Sequence, residues 1–519
     1  MSAQTTEALF LRYGPRYRGF VSFTVLLGAF ATVISTTIIN VAVPDIMGAF
    51  GMGQDQAQWL VSGFLIAMTS TMLLNAWMIS TFGQRKAYIG ALGIFLAASL
   101  IGGISPNETV VIATRIIQGC AAGILQPLAM YTLFRVYPAD QRGSAMSIYG
   151  LGVVLGPALG PTLGGLTVDY FNWRYVFYVS VPICVLGIFL ATLFMPEREE
   201  TGPAPRFDWI GFGLMVAFLS CLLIGLSNGQ RYGWESDYIV GLLLSAAGAG
   251  LAFVAWESWT PEPMLDLRLF AYLQFSSGAL VAFILGMGIF GSTYLAPLFA
   301  QTIQHMTPTE AGLMLMPSGV ALAVLYPFTG PLGDRLPPQG PILAGLLLFV
   351  LSSILLAEAD VNTGFWPMAM ALALGRAGIG ISFPALNVGA LRVLPAHFLS
   401  QGSGMINFVR MLGGAFGVNL LSITLDRRTA FHKDAFSATQ ESIQGYTGEL
   451  LTAVQNLLAQ GGASEALRLP GAAHFLNRVI QGEAAAAGFK DSYLAVALLF
   501  AMAVIPAWMM GRSKRPRIA

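Results

Sequence analysis

GPALGPTLGG, residues 156–165, interrupts a long apolar run with residues that weaken helices in water. Together with Gly152 it sets glycines at 152, 156, 160 and 164, four residues apart, with Pro157 and Pro161 in the same rhythm. A step of four returns to nearly the same side of an α-helix, so the segment predicts a helix with a groove free of side chains along one face. The prolines remove backbone donors and predict a bend. In lipid such a face lets another helix approach closely. The spacing fits an ordinary packing seam, and it equally fits two helices that pack tightly and still rock against each other.

Composition identifies the solvent. The chain has 519 residues, 55% hydrophobic and only 10% charged, against about 25% charged in a soluble domain. It belongs in a bilayer. A net charge of +1 excludes the basic footprint of a nucleic-acid binder. Cys120, Cys184 and Cys221 lie in apolar runs and predict neither disulfide nor metal site, and His305, His397, His432 and His474 show no ligand spacing. No Walker A loop, GxSxG elbow or HExxH is present, so neither an enzyme nor an ATP-driven pump is expected, and no cofactor. Arg12, Arg16 and Arg18 precede an apolar run from Phe20 to about Val43. That run is too long for a cleaved signal and predicts a retained membrane helix.

Apolar stretches of about twenty residues recur near residues 30, 68, 95, 120, 155, 184, 218, 247, 286, 321, 349, 376, 413 and 501. About fourteen spans place both ends of the chain on one side. Gln84-Arg85-Lys86, Arg135, Arg142, Arg198, Arg206, Arg268, Arg335, Arg392 and the tail GRSKRPRIA all fall on that side, which the positive-inside rule makes the cytoplasm. The other face has Arg174, Arg231 and one long segment.

A weak repeat predicts the architecture. Arg115 in TRIIQGCAAGI and Arg376 in GRAGIGISFPA are followed 37 residues later by Gly152 and by Gly413 of MLGGAFG, so both pairs are displaced by 261. A six-helix half needs about two hundred residues, and the excess accommodates two inserted helices near 218 and 247. The expected fold is all-α and integral to the membrane, two six-helix bundles plus an inserted pair, with a substrate site between the repeats. Its divisions are a cytoplasmic N-terminus (1–17), an N-terminal bundle (18–196), a linker with the inserted helices (197–272), a C-terminal bundle (273–511) that includes a loop at 426–490, and a cytoplasmic tail (512–519).

The motifs along nearly the whole chain resemble the fourteen-helix drug:proton antiporter branch of the major facilitator superfamily, the EmrB/QacA-like exporters. They are TTIINVAVP (36–44), RIIQG (115–119), GPALGPTLGG, NWRYVFYVSVP (172–182), FDWIG (207–211), EPMLDLRLF (262–270), TPTEAGLMLMP (307–317) and TGPLGDR (329–335). The resemblance implies the major facilitator fold in a bacterial inner membrane and multidrug export by alternating access. It makes Gly152, Gly156, Pro157, Gly160, Pro161 and Gly164 the antiporter motif. It also assigns Asp334 and Arg335 to a gating loop and Arg115 to proton passage. Two departures stand out: Ser35 precedes the TTI run where relatives have Asp, and WMISTFGQRK (77–86) carries Ser80 in place of the first loop's Asp. They leave open a sensor or scaffold that kept the fold without transport.

Ionisable groups deep in a membrane are functional candidates by default, and here they are basic: Arg115, Arg376 and Arg410. Arg115, Gln118 and Gln126 share one side of their helix, a polar stripe expected to face a water-filled cavity. Arg does not itself release its proton, so a neighbouring acid is needed, and Asp45 is the first choice ahead of Asp169 and Glu310. Three arginines without a central carboxylate suggest a cavity that prefers anionic or neutral amphipaths, unless backbone carbonyls or acids on other helices neutralise them. Further candidates to line it are Thr36, Asn40, Trp59, Asn75, Tyr294, Asn387 and Asn407, with Arg410.

Within 426–490, YTGELLTAVQNLLAQGG sets Leu450, Leu451, Val454, Leu457 and Leu458 on one face and stops at Gly461-Gly462. AAHFLNRVIQG predicts a second helix. Such helices suit a lipid interface or a partner helix. The resemblance implies a periplasmic adaptor of the EmrA type and an outer-membrane channel of the TolC type as partners.

Overall fold

The computed structural model describes residues 6–197, 206–438 and 445–511, and these form helices and no strands. Arg198, the start of the N-terminal segment and the tail beyond Gly511 lie outside them, as do the side chains of Pro157 and Pro161. In order come α1 (Thr6–Tyr13), α2 (Arg16–Phe50), α3 (Gln54–Thr71), α4 (Asn75–Gly103), α5 (Glu108–Val136), α6 (Arg142–Tyr170), α7 (Tyr175–Tyr178) and α8 (Ser180–Phe194). The inserted pair is α9 (Trp209–Tyr232) and α10 (Asp237–Trp259). The second half holds α11 (Leu273–Thr302), α12 (Pro308–Leu313), α13 (Met316–Arg335), α14 (Gln339–Ala357), α15 (Phe365–Leu391), α16 (Leu399–Ala438), α17 (Tyr446–Gln460) and α18 (Glu465–Met509). In hydrocarbon every backbone N–H and C=O must be satisfied within the chain, and apolar helices achieve this span by span.

Among the described residues, twelve stretches are long and apolar enough to cross a membrane, and one of them, Gln56–Gly103, runs to 48 residues. It doubles back at Gly83, whose φ of 78° and ψ of 165° suit glycine. The reversal shows in the partners: Leu60 and Ser99 both reach the Arg115–Gln118 turn of α5, whereas Gln84 meets Thr132 near its far end. The 29-residue α6 lies alongside α2 and α13 as a further crossing. With both counted, the chain makes the expected fourteen passages.

The two halves repeat each other's packing. In the first, α2 packs on α6, α5 and α8, and α5 on α3 and α4; in the second, α11 packs on α16, α15 and α18, and α15 on α13 and α14. The halves meet through α6 with α13 and α15, and through α5 with α16. The inserted pair packs on itself and on α3, with a lighter contact to α16.

Two expectations change. The glycine comb faces α2 within its own bundle: a Cβ on Gly152 would meet Leu26, on Gly156 Val33, on Gly160 Thr37 Oγ1 and on Gly164 the Ile38 carbonyl. The Thr37 hydroxyl donates to the Gly156 carbonyl at 3.3 Å. The seam is therefore a tight internal joint, not the surface on which the halves rock, and α6 stays helical through both prolines. The 426–490 segment is also not a loop with two separate helices. Helix α16 continues to Ala438, α17 ends at Gln460 with Gly461 and Gly462 following, and AAHFLNRVIQG belongs to the 45-residue α18. Gly482 does not end the helix, because Glu483 and four alanines follow it and favour continuation.

Candidate functional site

Each bundle buries one arginine on its central helix and hands it to a hydroxyl on the first helix of that bundle. Arg115 of α5 is 1% exposed. Its Nε donates to the Leu60 carbonyl at 3.0 Å, and Nη1 donates to Ser35 Oγ at 2.9 Å and Gln118 Oε1 at 2.8 Å. The guanidinium lies 4.2 Å from the centre of the Phe64 ring. Gln118 passes the network on to Ser99 Oγ at 2.8 Å, which lies 3.2 Å from Ser180 Oγ. Ser35, the residue in the place of the family's aspartate, is thus the direct partner of Arg115. A serine satisfies one N–H but leaves the charge uncompensated.

In the second bundle Arg376 of α15, 8% exposed, donates to Thr293 Oγ1 of α11 at 2.5 Å. It lines a small cavity with Ser292, Ser352, Ser353 and Tyr493. Among the described residues, Nη1 of Arg376, Nη2 of Arg115 and Nη1 of Arg410 have no hydrogen-bond partner, and no carboxylate lies within ion-pair distance of any of the three.

The third arginine sits where the bundles meet. Arg410 of α16 is 2% exposed and lies 5.1 Å from the Phe383 ring centre. Asn407 Oδ1 accepts from Arg410 Nη2 and from the Tyr149 hydroxyl of α6, both at 2.6 Å, while Asn407 Nδ2 donates to the Ser403 carbonyl at 2.9 Å. Tyr149 stacks on Phe383 at 6.0 Å. Ser35, marked in the sequence as a departure, and Tyr149 and Thr293, which were not singled out by sequence, complete these networks. Tyr149 lies three residues before Gly152, on a helix where the glycines dominate the pattern.

Nearer the face that carries Arg85, Arg135, Arg142 and Arg335, the halves are latched. Asp334, at the end of α13, accepts from Gly143 N at 2.5 Å, Ser144 N at 3.1 Å and Ser144 Oγ at 2.9 Å. These are among the first N–H groups of α6, left free by the helix and carrying the positive end of its dipole. The backbones nearly touch, since a Cβ on Gly330 would stand 2.7 Å from Ser144 Cα and Ser147 Oγ. Asn75 of α4 donates to the Ser400 carbonyl and to Ser403 Oγ of α16, both at 3.3 Å. Ser80 instead donates back to Trp77 within its own helix, so only one of the two loop copies latches by a carboxylate. Arg335 is exposed at the end of α13.

The remaining expected residues divide. Thr36 is half-buried and Asn40 exposed on α2, with Trp59 exposed on α3. Tyr294 reaches Ser422 Oγ at 3.4 Å. Gln118 and Gln126 do not face a water-filled cavity: both are buried, and Gln126 contacts Met68 Sδ at 3.9 Å. The polar stripe is a helix-to-helix network inside the bundle, because its partners lie on α2, α3 and α4. Asn75, Asn387, Asn407 and Arg410 are likewise buried. Asp45 and Asp169 are exposed, and no bond joins either to Arg115. Glu310 is an exposed partner in a capping box with Thr307, receiving Thr307 N at 2.8 Å.

Comparison with known proteins agrees with this architecture. The chain is 28% identical over 495 residues to the fatty acid resistance protein FarB of Neisseria gonorrhoeae, covering 94% of this chain and 95% of that protein. It is 28% identical over 414 residues to the multidrug export protein EmrB of Haemophilus influenzae, covering 79% and 81% respectively. Among solved structures, the human organic anion transporter MFSD10 (TETRAN) matches with a TM-score of 0.61 at 12% identity, covering 94% of this chain and 99% of that one. The proton:xylose symporter XylE also matches at 0.61, with 15% identity over 96% of each chain; at these identities both show the fold alone. The family model described as the Major Facilitator Superfamily matches residues 25–418. With two packing-equivalent bundles and buried arginines in corresponding helices, the chain belongs to the Major Facilitator Superfamily, a family of membrane transporters.

Proposed function

We propose that this protein is a proton-coupled exporter of amphipathic toxic compounds and that its substrates are anionic or neutral rather than lipophilic cations. The observation that carries the reading is the set of three buried guanidinium groups without a carboxylate partner among the described residues. In a low-dielectric interior, charge selects charge. Ser35 in place of an aspartate removes the negative charge that would answer Arg115. The name of FarB supports an acidic amphipath, and the motifs quoted above support the fourteen-helix EmrB/QacA-like branch.

On this reading the arginine-rich face is cytoplasmic, the membrane is a bacterial inner membrane, and Asp334 latches the cytoplasmic side while substrate leaves on the other. Arg115 acts on proton passage by tuning its surroundings, and Asp45, exposed toward the opposite face, is the candidate to exchange protons there. Helices α17 and α18 with the end of α16 offer the surface for a periplasmic adaptor (EmrA-like) and through it an outer-membrane channel (TolC-like). Deleting 440–485 should abolish adaptor pull-down at unchanged membrane expression.

The deciding test is competition in proteoliposomes under a pH gradient between a long-chain fatty acid and a quaternary ammonium dye. Preferred transport of the fatty acid, with proton counter-movement, is expected. Preference for the dye would overturn the charge assignment, and transport indifferent to a protonophore would overturn the coupling.

A further inference from the structure

The inserted helices do more than join the halves. Glu257, two residues before the end of α10, is 3% exposed. Its Oε2 accepts from Leu265 N at 3.0 Å, while Oε1 is buried with no hydrogen-bond partner among the described residues. Asp208 faces it from the start of α9. Asp208 Oδ1 accepts from Gly211 N at 2.9 Å, and Trp256 Nε1 is shared between its two oxygens at 3.0 and 3.2 Å. A Cβ on Gly211 would lie 2.3 Å from Asp208 Oδ2 and 2.5 Å from Glu257 Oε1. The two oxygens are therefore no more than 4.8 Å apart, and the glycine of FDWIG leaves the room in which they meet.

The surrounding charges do not separate them. From α9 come Asp208 and the preceding Arg206, whose side chain is exposed and whose N donates to Glu262. The strap after α10 adds Glu262, Asp266 and Arg268, and Arg268 is exposed beside Asp266. The α16 neighbour is neutral Gln401, which accepts from Asp266 N at 3.2 Å. From α4 comes Trp77, against Phe207. No cation pairs with Asp208 or Glu257 among the described residues. A buried oxygen facing a second carboxylate, with every other acceptor supplied with an N–H, lacks one hydrogen.

We propose that Asp208 and Glu257 form a proton-binding site in the inserted helix pair, in which Glu257 Oε1 carries a proton and donates it to Asp208 Oδ2. Loss of that proton places two negative charges side by side and loosens the bond from Glu257 to Leu265. The strap from Leu265 leads into α11 and touches α16 at Gln401, while α9 packs on α3 of the other bundle. The site thus ties its protonation to the link between the halves. This rests on the proposed proton coupling only for its role in transport, not for its existence.

Infrared difference spectroscopy of the purified full-length protein, titrated from neutral to alkaline pH, tests it. A protonated-carboxyl band should be present at neutral pH, vanish as pH rises and be missing in Glu257→Gln, while Asp45→Asn keeps it. A spectrum unchanged by Glu257→Gln overturns the site. If Glu257→Gln fails to remain monodisperse, Asp208→Asn replaces it: removing the neighbouring charge must move the band's disappearance to lower pH, and an unmoved titration overturns the site. In proteoliposomes Glu257→Gln should flatten the pH dependence of transport several-fold. A band that behaves as expected in a protein whose transport moves no protons would leave the site standing and refute the coupling instead.

Discussion

Removing the charge of Asp334 should loosen the boundary between the halves. Its carboxylate receives two backbone N–H groups and one hydroxyl from the first turn of α6, across the boundary between the halves. Hydrogen bonds to a charged group contribute about 1.5–3 kcal/mol each, net of exchange with water, where the group is removed from solvent, and an anion at a helix N-terminus adds about 0.3–1 kcal/mol. Asp334 is half-buried, so water replaces much of what is lost. Asp334→Asn keeps one acceptor and loses the charge, for a net cost of about 1–2 kcal/mol to the latched state. Because about 1.4 kcal/mol is a factor of ten, the unlatched population should rise roughly 5- to 30-fold. The assay is the rate at which a membrane-impermeant maleimide labels a cysteine at Ser147, now 4% exposed beside Gly330, with Cys120, Cys184 and Cys221 replaced. Labelling from the arginine-rich face should accelerate about tenfold in Asp334→Asn. An unchanged rate in a well-folded variant would refute the latch.

Further outcomes follow from other residues. Ser35→Asp places a carboxylate against Arg115 and should weaken competition by a fatty acid by at least about tenfold, since a close ion pair cancels the attraction; equal competition would remove Arg115 from substrate selection. Gly160→Ala brings a Cβ to within 1.9 Å of Thr37 Oγ1 and should destabilise by about 1–3 kcal/mol, seen as a lower melting temperature in detergent that Thr37→Ala partly restores. Tyr149→Phe deletes one donor to Asn407 and should cost about 1 kcal/mol to the closed state, read as faster labelling at Ser147; a slower rate would contradict the assigned interface.

Much of the fold was legible because lipid makes backbone satisfaction a matter of span length. The apolar runs, the 261-residue displacement and Asp334 at the end of a small-residue helix all translated directly into architecture. What escaped was direction around the helix axis. The glycine comb announces close packing, but nothing in a four-residue step says whether the partner is α2 or α13. Arg115, Gln118 and Gln126 share a side in sequence, and that side proved to face other helices; Ser35 stood out before the TTI run, but nothing in the sequence tied it to Arg115, and Ser99 had no distinguishing pattern of its own. Helix α18 outran its expected start because an alanine-rich connection between a polar and an apolar segment extends a helix as readily as it ends one.

In the proposed export cycle the two bundles part at the arginine-rich face at every turnover. Asn75 Nδ2 lies 3.3 Å from Ser403 Oγ across the boundary between the halves, so cysteines at these two positions stand within reach of a short, reducible thiol cross-linker. In proteoliposomes, cross-linking the Asn75→Cys, Ser403→Cys pair should arrest export and reduction should restore it; full turnover with the cross-link closed would contradict the mechanism.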